Sequence, residues 1–229
     1  MKSTEWFKRT FRLDIYFWML FLFIPYVIIF GLVGHLCEPV IYIHSVVDDM
    51  IPFSQVWIIP YIMWFPYVAL HFIRLFYKDT REYLSYMCAQ FIGLYACDIF
   101  FIFVPNGVNF RPEPVGNGIT AFLCRIVFGL DNPTNVFPSI HVMVSWVVVF
   151  SMLHSKMYKT HKWAIPVYFT LSTLISLSTM FLKQHSFIDV VGGVIGAIIL
   201  YLIVYVSPLR KKLDAFYEKH PPKVYEEEA

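Results

Sequence analysis

The segment Pro138-Ser139-Ile140-His141 places a serine and a histidine directly before the apolar run 142–150. Proline is tolerated in a first helical turn, because its missing N–H group has no partner there in any case. We therefore expect Ser139 and His141 in the opening turn of a helix, beside free backbone N–H groups and the positive end of the helix dipole. Such a position favours a bound anion, phosphate especially.

A second polar segment, Lys183-Gln184-His185-Ser186, precedes another apolar run. His185 and Asp189 are four residues apart, so they share a face if the segment is helical. A carboxylate placed in this way can hold one imidazole nitrogen, which fixes the tautomer and leaves the other nitrogen free to attack. The spacing predicts a nucleophilic histidine with an orienting carboxylate.

The composition is that of an integral membrane protein. Of the 229 residues, 58% are hydrophobic and 15% are charged, against about 25% charged residues in an ordinary soluble domain. The mean hydropathy is +0.61. The net charge of +2 gives no reason to expect a nucleic-acid partner, whereas the bilayer is the expected environment.

Six apolar runs are long enough to cross a bilayer. They cover residues 15–34, 56–76, 83–104, 138–154, 163–182 and 187–206. Strand-like alternation is absent, so the runs predict an all-α bundle of six transmembrane helices in one membrane domain, 1–229. Within it we expect a catalytic core over 105–206 and a disordered tail over 215–229.

The loop 105–137 contains a further apolar stretch, 119–130, that is too short to span a membrane. Arg125 interrupts it, so we expect a short helix at the membrane surface between transmembrane helices 3 and 4.

The basic residues predict the orientation of the chain. All but three of the 18 lysines and arginines lie in the N-terminal segment, in the loops after the second and fourth runs, or in the C-terminal segment. By the positive-inside rule both termini are cytoplasmic, in a multi-pass protein of the plasma membrane whose two histidine segments face outward. The three exceptions, Arg111, Arg125 and Lys183, lie near those segments, and Arg111 and Lys183 above all are expected to be functional.

Two acidic positions allow other interpretations. His44 and Asp48 have i,i+4 spacing, like a catalytic pair, but no span and no anion-binding motif begins there, so we interpret them as part of a solvated loop. Asp98 lies inside the third run, where an ionisable group is costly and usually has a partner or a polar cavity. Asp98 could pair with Arg111 or Arg125, or its carboxylate could reach the membrane–water interface.

Small residues follow Asp189 at positions 192, 193, 196 and 197. Small residues at this spacing allow helices in membranes to approach closely. We expect Gly192, Gly193 and Gly196 to serve helix packing.

Three motifs together resemble those of the type 2 phosphatidic acid phosphatase superfamily. They are Arg111-Pro112, then Pro138-Ser139-Ile140-His141, then Ser178 followed by His185 and Asp189. Their order, their spacing and their placement relative to six spans agree with the family. The motifs cover about 105–206, and the topology covers the whole chain.

The resemblance implies a role for each motif residue. His185 would be the nucleophile that forms a phosphohistidine, oriented by Asp189, and His141 would be the general acid and then the general base. The phosphoryl oxygens would be bound by cationic and hydroxyl groups: Arg111, Ser139, Lys183 and Arg125. The scheme needs no metal and no cofactor, and the sequence has no carboxylate cluster that would hold a metal ion.

The chain departs from the family pattern at three positions. Val104 stands where the first motif has a lysine, Thr179 where the third has an arginine, and Ile140 where the second has a glycine. Fewer cations weaken the binding of a dianionic monoester more than that of a singly charged diester. This favours relatives that transfer phosphodiesters, such as inositol phosphorylceramide and sphingomyelin synthases.

Three functions are consistent with these residues. The first is a metal-independent lipid-phosphate phosphatase acting through a phosphohistidine at the outer membrane face. The second uses the same histidine chemistry to pass the phosphoryl or head group to an alcohol. The third is a non-catalytic lipid-binding or transport protein. The sequence specifies neither the lipid phosphate, nor the acceptor, nor the oligomeric state.

Overall fold

The computed structural model describes residues 14–222. The first helical segment, Ile15–Leu36, consists of α1 (Ile15–Trp18), a 3-10 turn (Met19–Leu22) and α2 (Phe23–Leu36). The Asp14 carboxylate caps its first turn by accepting two backbone N–H groups. The basic residues that precede this segment lie outside the described residues.

The following loop contains β1 (Ile41–Tyr42) and the short helix α3 (Val46–Met50). The second long segment, Gln55–Lys78, begins with a 3-10 turn (Gln55–Trp57) and continues as α4 (Ile58–Ile62) and α5 (Trp64–Lys78). It is followed by α6 (Thr80–Phe103) and by β2 (Asn106–Gly107), which pairs with β1 in parallel.

The C-terminal half begins with α7 (Ile119–Leu130), the stretch predicted to be a short helix. It continues with α8 (Ile140–His154), α9 (Lys156–Thr160), α10 (Ala164–Phe181), α11 (Phe187–Tyr201), a π-helical turn (Leu202–Val206) and α12 (Leu209–Lys219). The helical architecture agrees with the predicted all-α bundle.

Helix α8 lies at the centre of the bundle, packed against α6, α10 and α11. Most of its side chains are buried, including Val142, Val147 and Val148. A helix that is apolar on all sides is buried on all sides. The opening turn of α8 is thereby held in place by three neighbouring helices.

Within residues 14–222, five helical segments are long and apolar enough to cross a membrane, so the protein is a multi-pass membrane protein. The fourth predicted span, α8, has only 15 residues. At about 1.5 Å per residue it is shorter than a hydrocarbon core of about 30 Å. The count of six spans stays a prediction.

The C-terminal boundary of order was predicted wrongly. Helix α12 continues to Lys219, past the position 215 at which we expected disorder to begin. The physical reason is tertiary contact, because Phe216 and Tyr217 pack against the hydrophobic core and Arg81 forms an ion pair with Asp214. The part of the predicted tail over 223–229 lies outside the described residues.

The predicted packing role of the small residues in α11 is confirmed. A Cβ atom on Gly193 would lie 2.7 Å from the carbonyl oxygen of Ser139. One on Gly192 would lie 2.5 Å from the ring of Phe137. The backbone of α11 therefore approaches the opening turn of α8 more closely than any residue with a side chain would allow.

Candidate active site

Asn106, in β2, organises the segment that leads into α8. Its side-chain oxygen accepts the N–H groups of Val136 at 2.9 Å and Phe137 at 2.8 Å. Its side-chain nitrogen donates to the carbonyl of Phe137, and its own carbonyl accepts the N–H of Asn135 at 2.6 Å. The bond that follows, Phe137-Pro138, is cis. One buried amide thus fixes the path of the chain into the first histidine motif.

Ser139 is the N-cap of α8, as the sequence predicted for the opening turn. Its hydroxyl oxygen accepts the N–H of Val142 at 3.5 Å, and its own N–H donates to the carbonyl of Asp189 at 3.1 Å. The second contact joins the start of α8 to the start of α11. Ser139 is fully buried, and its binding of phosphate stays a prediction.

The third motif begins α11 with a reciprocal cap. Asp189 is fully buried, and its Oδ2 atom accepts the N–H of Ser186 at 2.8 Å. The same oxygen lies 3.5 Å from Nδ1 of His185. This is an ion-pair distance but not a good hydrogen bond, and Nδ1 has no hydrogen-bond partner among the residues of the described chain. The carboxylate lies beside the imidazole, but the helix that was expected to contain both residues begins only at Phe187, after His185. The orienting role of Asp189 stays a prediction.

The two imidazoles meet. The ring centroids of His141 and His185 lie 6.1 Å apart with an interplanar angle of 60°. His141 also contacts two aromatic rings from the second span, Tyr61 at 4.7 Å and Trp64 at 4.6 Å between centroids. The Tyr61 hydroxyl in turn donates to the Asp131 carboxylate at 2.6 Å. These contacts hold the His141 ring against one wall of a cavity.

A cavity of about 350 Å³ lies between the first two helical segments, α7 and the two histidines. Its polar wall includes His141, His185, Gln184, Asn135 and Asp131. Its apolar wall includes residues of α2, α5 and α7: Tyr26, Val27, Phe30, Trp64, Phe65 and Leu130. The arrangement presents two imidazoles to a space with a largely hydrophobic approach.

Arg111 lies directly behind this wall. Its guanidinium donates to the carbonyl of Asp131 at 2.7 Å and to the side-chain oxygen of Gln184, and it stacks over the ring of Phe128. Burial lowers the pKa of the guanidinium from its usual value, while the Asp131 carboxylate opposes the shift. An arginine remains protonated after such a shift. Arg111 thus supplies a positive charge next to the cavity through two of its lining residues.

The other two candidate cations have different contacts. The ammonium of Lys183 donates to the carbonyls of Asp48 and Ile51, each at 2.5 Å. The guanidinium of Arg125 donates to the carbonyls of Pro114 and Gly116 in the preceding loop. Neither residue lines the cavity. For both, phosphate binding stays a prediction, and the structure brings neither of them to the histidines.

The interpretation of Asp48 as part of a solvated loop is wrong. Asp48 is 3% exposed, and its carboxylate accepts the Ser186 hydroxyl and the N–H of Phe187 at 2.7 Å. It therefore caps the first turn of α11, since free N–H groups at a helix start attract a carboxylate. His44 pairs with Asp49 at 2.8 Å instead of Asp48.

Asp98 does not have either of the expected arginine partners, because Arg111 and Arg125 bond elsewhere. It is 1% exposed, so it does not reach the interface as the other alternative required. Neither of its carboxylate oxygens has a hydrogen-bond partner within residues 14–222. We have no structural account of this group.

Sequence reasoning missed five further polar residues of the cavity wall: Asp131, Asn132, Thr134, Asn135 and Gln184. Asn135 and Gln184 adjoin the two histidine motifs, and that adjacency was the only signal for them. Asp131 follows α7 and carries no pattern of its own. Over the described part of the chain, no group of three or more His, Cys, Asp or Glu side chains is placed to hold a metal ion.

The geometry unites a nucleophile candidate, an orienting carboxylate, a second imidazole and a nearby guanidinium. That set can transfer a phosphoryl group with one histidine and move protons with the other. The family model of the PAP2 superfamily matches residues 61–212 and includes all three motifs. No curated protein and no solved structure matches the chain. The chain therefore belongs to the PAP2 superfamily, whose members are phosphatases or related phosphotransferases.

Proposed function

We propose that the protein removes phosphate from a lipid phosphate through a phosphohistidine formed on His185. The observation that supports this most directly is the placement of His185 and His141 on the wall of one cavity, 6.1 Å apart between ring centroids. Asp189 lies against the first of these rings. Membership of the family gives the general reaction, and these three residues give the proposed mechanism.

In the first step Nε2 of His185 attacks phosphorus, and the bond between phosphorus and the lipid oxygen breaks. His141 donates a proton to the departing oxygen, so the lipid leaves as an alcohol. The Asp189 carboxylate favours the tautomer protonated at Nδ1 and stabilises the positive charge that develops on the ring. Positioned proton transfer of this kind contributes about 10²–10⁴-fold in rate.

In the second step water attacks the phosphorus of the phosphohistidine. His141, neutral after the first step, takes a proton from the water as the new P–O bond forms. The P–N bond breaks, inorganic phosphate leaves and the His185 ring is regenerated. His141 is then protonated again and can serve as the acid in the next cycle.

The negative charge on phosphorus is stabilised from two directions in this proposal. Arg111 acts from behind Gln184 and Asp131, to which it is bonded. The start of α8 contributes backbone N–H groups and the positive end of its dipole. A single lost donor to an oxyanion typically costs about 10²–10³ in rate.

The apolar surroundings support a lipid as the substrate. A second cavity of about 300 Å³ shares Tyr26, Trp64, Phe65 and Ile140 with the first and continues between α5 and α6. A hydrocarbon chain gains free energy from such a lining, roughly in proportion to the apolar area that it buries. The distribution of lysine and arginine supports an outward-facing site in the plasma membrane with both termini cytoplasmic.

Transfer to an alcohol is the second candidate. It is favoured by one specific observation: no lysine or arginine of residues 14–222 lines the cavity. Two neutral residues, Val104 and Thr179, stand at the family's cationic positions. Such a site suits a singly charged phosphodiester better than a dianion, and head-group transferases act on diesters.

The test is to trap the phosphoenzyme from radiolabelled lipid phosphates. We expect an acid-labile, alkali-stable label on the wild type and none on His185→Ala, with release of inorganic phosphate and no effect of a chelator. If a new lipid ester appears when an alcohol is supplied, the transferase is correct. Full labelling of His185→Ala, or loss of activity with the chelator, would overturn the proposed mechanism.

A further inference from the structure

Two side-chain amides of the cavity wall carry polar atoms that no described residue satisfies. Asn135 is 5% exposed, and neither its side-chain nitrogen nor its oxygen has a hydrogen-bond partner within 14–222. Gln184 is 2% exposed, and its side-chain nitrogen is likewise without a partner there. A buried polar group left without a partner is destabilising, so a ligand that satisfies it gains free energy. Both amides lie on the wall that contains the two histidines.

Backbone geometry alone does not explain Asn135. Its φ of 59° is in the left-handed region, where asparagine is tolerated and glycine is easiest. Hydrogen bonds to Asn106 already hold this part of the chain, and they use the backbone N–H of Asn135 and not its amide. The side chain is thus free to serve a ligand in the cavity.

The contact with Arg111 fixes the orientation of the Gln184 amide. The guanidinium donates to Oε1, and because a guanidinium can only donate, the oxygen must face it. The NH₂ group is therefore the part of the amide that is left for the cavity. Gln184 presents two N–H donors beside His185, backed by the positive charge of Arg111.

The charges around the cavity restrict what these donors can bind. Among residues 14–222, the lining contains no lysine or arginine but does contain the carboxylate of Asp131. A second negative charge on a bound phosphoryl group would be repelled by Asp131 and would gain no further lysine or arginine. The proton of His141 is the one that the proposed mechanism gives to the leaving oxygen. One negative charge is matched by Arg111 and by neutral donors.

We propose that Asn135 and Gln184 bind the phosphoryl group of the substrate through neutral hydrogen bonds, and that the site selects a phosphoryl group with one negative charge over one with two. This inference rests on the proposed function and specifies its substrate class. Two lipids supply such a group: a phosphodiester, and a phosphomonoester in its singly protonated form. Asn135 and Gln184 are thus specificity residues that touch the reacting group.

The test compares the binding of two non-hydrolysable lipid analogues to the solubilised full-length protein by calorimetry. One is an α,α-difluoroalkyl phosphonate, and the other is its monomethyl ester, which carries only one charge at any working pH. At about pH 8 the phosphonate is almost fully dianionic, since fluorination lowers its second pKa to about 6, the value of a phosphate ester. We expect the ester to bind about 10-fold more tightly there, and the ratio of the two Kd values to approach one at about pH 5.5.

Because the readout is the ratio of the two Kd values, any titration of a protein group that changes the binding of both analogues equally has no effect on it. Turnover of a lipid phosphodiester and of a lipid phosphomonoester shows which of the two is the substrate. Only the diester keeps the same charge, and is therefore consumed at the same rate, when the pH is raised from about 5.5 to about 8. Equal or tighter binding of the dianionic phosphonate at that pH overturns the proposal. Binding is measured without turnover, so this outcome is distinct from a failure to trap the phosphohistidine.

The variants test the two amides directly. Gln184→Met removes the donor at similar size, and Asn135→Gly removes the amide while permitting the left-handed backbone. Each should weaken binding of the ester about 10- to 100-fold, as expected for a lost hydrogen bond to a charged group. Asn117→Ala is the control, since Asn117 is exposed and is not part of the cavity lining, and it should change Kd less than about 2-fold.

Thermal unfolding in detergent confirms that each variant is folded before its Kd is used. Should Asn135→Gly fail to fold, Gln184→Met still decides the proposal. Unchanged Kd values in a folded Gln184→Met protein overturn it.

Discussion

His141 and His185 face each other at 6.1 Å between ring centroids, although His141 lies in α8 and His185 lies in the loop before α11. The contact exists because the N–H of Ser139 donates to the carbonyl of Asp189, which joins the starts of α8 and α11. The distance allows one phosphoryl group to contact both rings. In the proposed mechanism, His185 as nucleophile and His141 as proton donor act on the same phosphorus atom.

The two histidines should fail in different ways when they are replaced. His185→Ala removes the nucleophile, so neither a phosphoenzyme nor a product should form from any ester. His141→Ala removes only the proton donor, and the nitrophenolate of a nitrophenyl phosphate leaves without protonation. We expect His141→Ala to form the phosphoenzyme from the activated ester but to hydrolyse it about 10²–10⁴-fold more slowly.

Rapid-quench labelling with a lipid phosphate and with nitrophenyl phosphate measures both the formation and the hydrolysis of the phosphoenzyme. His161→Ala is a suitable control because His161 is exposed and its ring bonds to Thr160 and Met157 in its own turn. Equal loss of the first step in both variants would contradict the division of roles.

Replacing Asp189 by asparagine should separate charge from capping. The amide oxygen introduced by Asp189→Asn can still accept the N–H of Ser186, so the start of α11 should stay formed. The negative charge beside His185 is lost, and with it the preference for the reactive tautomer. We expect kcat to fall by at least about 10²-fold with little change in the melting temperature. A large loss of thermal stability with normal kcat would show that Asp189 acts only as a cap.

The sequence could single out the candidate catalytic residues because their signal is local. His185 and Asp189 are four positions apart, and Ser139 and His141 follow a proline at the start of an apolar run. These features depend on a few neighbouring positions, which a sequence displays directly.

The supporting residues could not be predicted because their roles depend on distant contacts. Asp48 reaches Ser186 across 138 positions of the chain, and Lys183 reaches the carbonyl of Asp48 across 135. Asn106 acts on a segment about 30 positions away. No period or motif relates such pairs, so Asp48 was interpreted as solvated and the bonds of Lys183 to two backbone carbonyls were not anticipated.

Neutral substitutions of Lys183 and Arg111 should therefore affect different properties, the melting temperature for Lys183 and KM for Arg111. Lys183→Met removes two hydrogen bonds that attach α3 to the loop before α11, so it should lower the melting temperature while KM changes less than about 2-fold. Arg111→Gln removes the charge behind the cavity and should raise KM by about 10-fold or more.

Steady-state kinetics on one lipid phosphate, together with unfolding in detergent, provides both readouts. A rise in KM for Lys183→Met as large as that for Arg111→Gln would restore the original assignment of Lys183 to the phosphate.

The ion pairs of α12 should make its attachment sensitive to acid. Partial burial raises the pKa of the Asp214 carboxyl, but hydrogen bonding to Arg81 and the charges of Arg210 and Arg81 lower it more, so the net pKa is below its ordinary value. A group with a lowered folded pKa stabilises the folded state above its unfolded pKa of about 3.9, and this stabilisation is lost as the pH falls through the folded pKa.

Because the pair is partly exposed, its contribution is small, about 0–1 kcal/mol. Limited proteolysis of α12 should be slow from neutral pH down to about pH 4 and faster below it. Asp214→Asn should be cleaved faster at neutral pH and should show a weaker dependence on pH. Identical pH profiles for the two proteins would refute the role of Asp214.

Two glycines offer a matched test of the helix contact that unites the histidines. A Cβ atom on Gly193 would lie 2.7 Å from the backbone oxygen of Ser139 and 2.8 Å from Cβ of Val142. Neither neighbour is the end of a flexible side chain, so Gly193→Ala must separate α11 from α8. We expect a loss of about 1–3 kcal/mol in stability, as for other overpacked sites, and a clear loss of activity as the histidines move apart.

Gly129, in α7, has open space around it, since a Cβ atom added there would meet nothing within 4 Å among the described residues. Gly129→Ala should be neutral or stabilising by up to about 1 kcal/mol, because alanine has the higher helix propensity. Unfolding in detergent and turnover of a lipid phosphate compare the two variants under the same conditions. If Gly193→Ala is as stable and active as Gly129→Ala, close approach of α11 to Ser139 is not what holds His141 and His185 together.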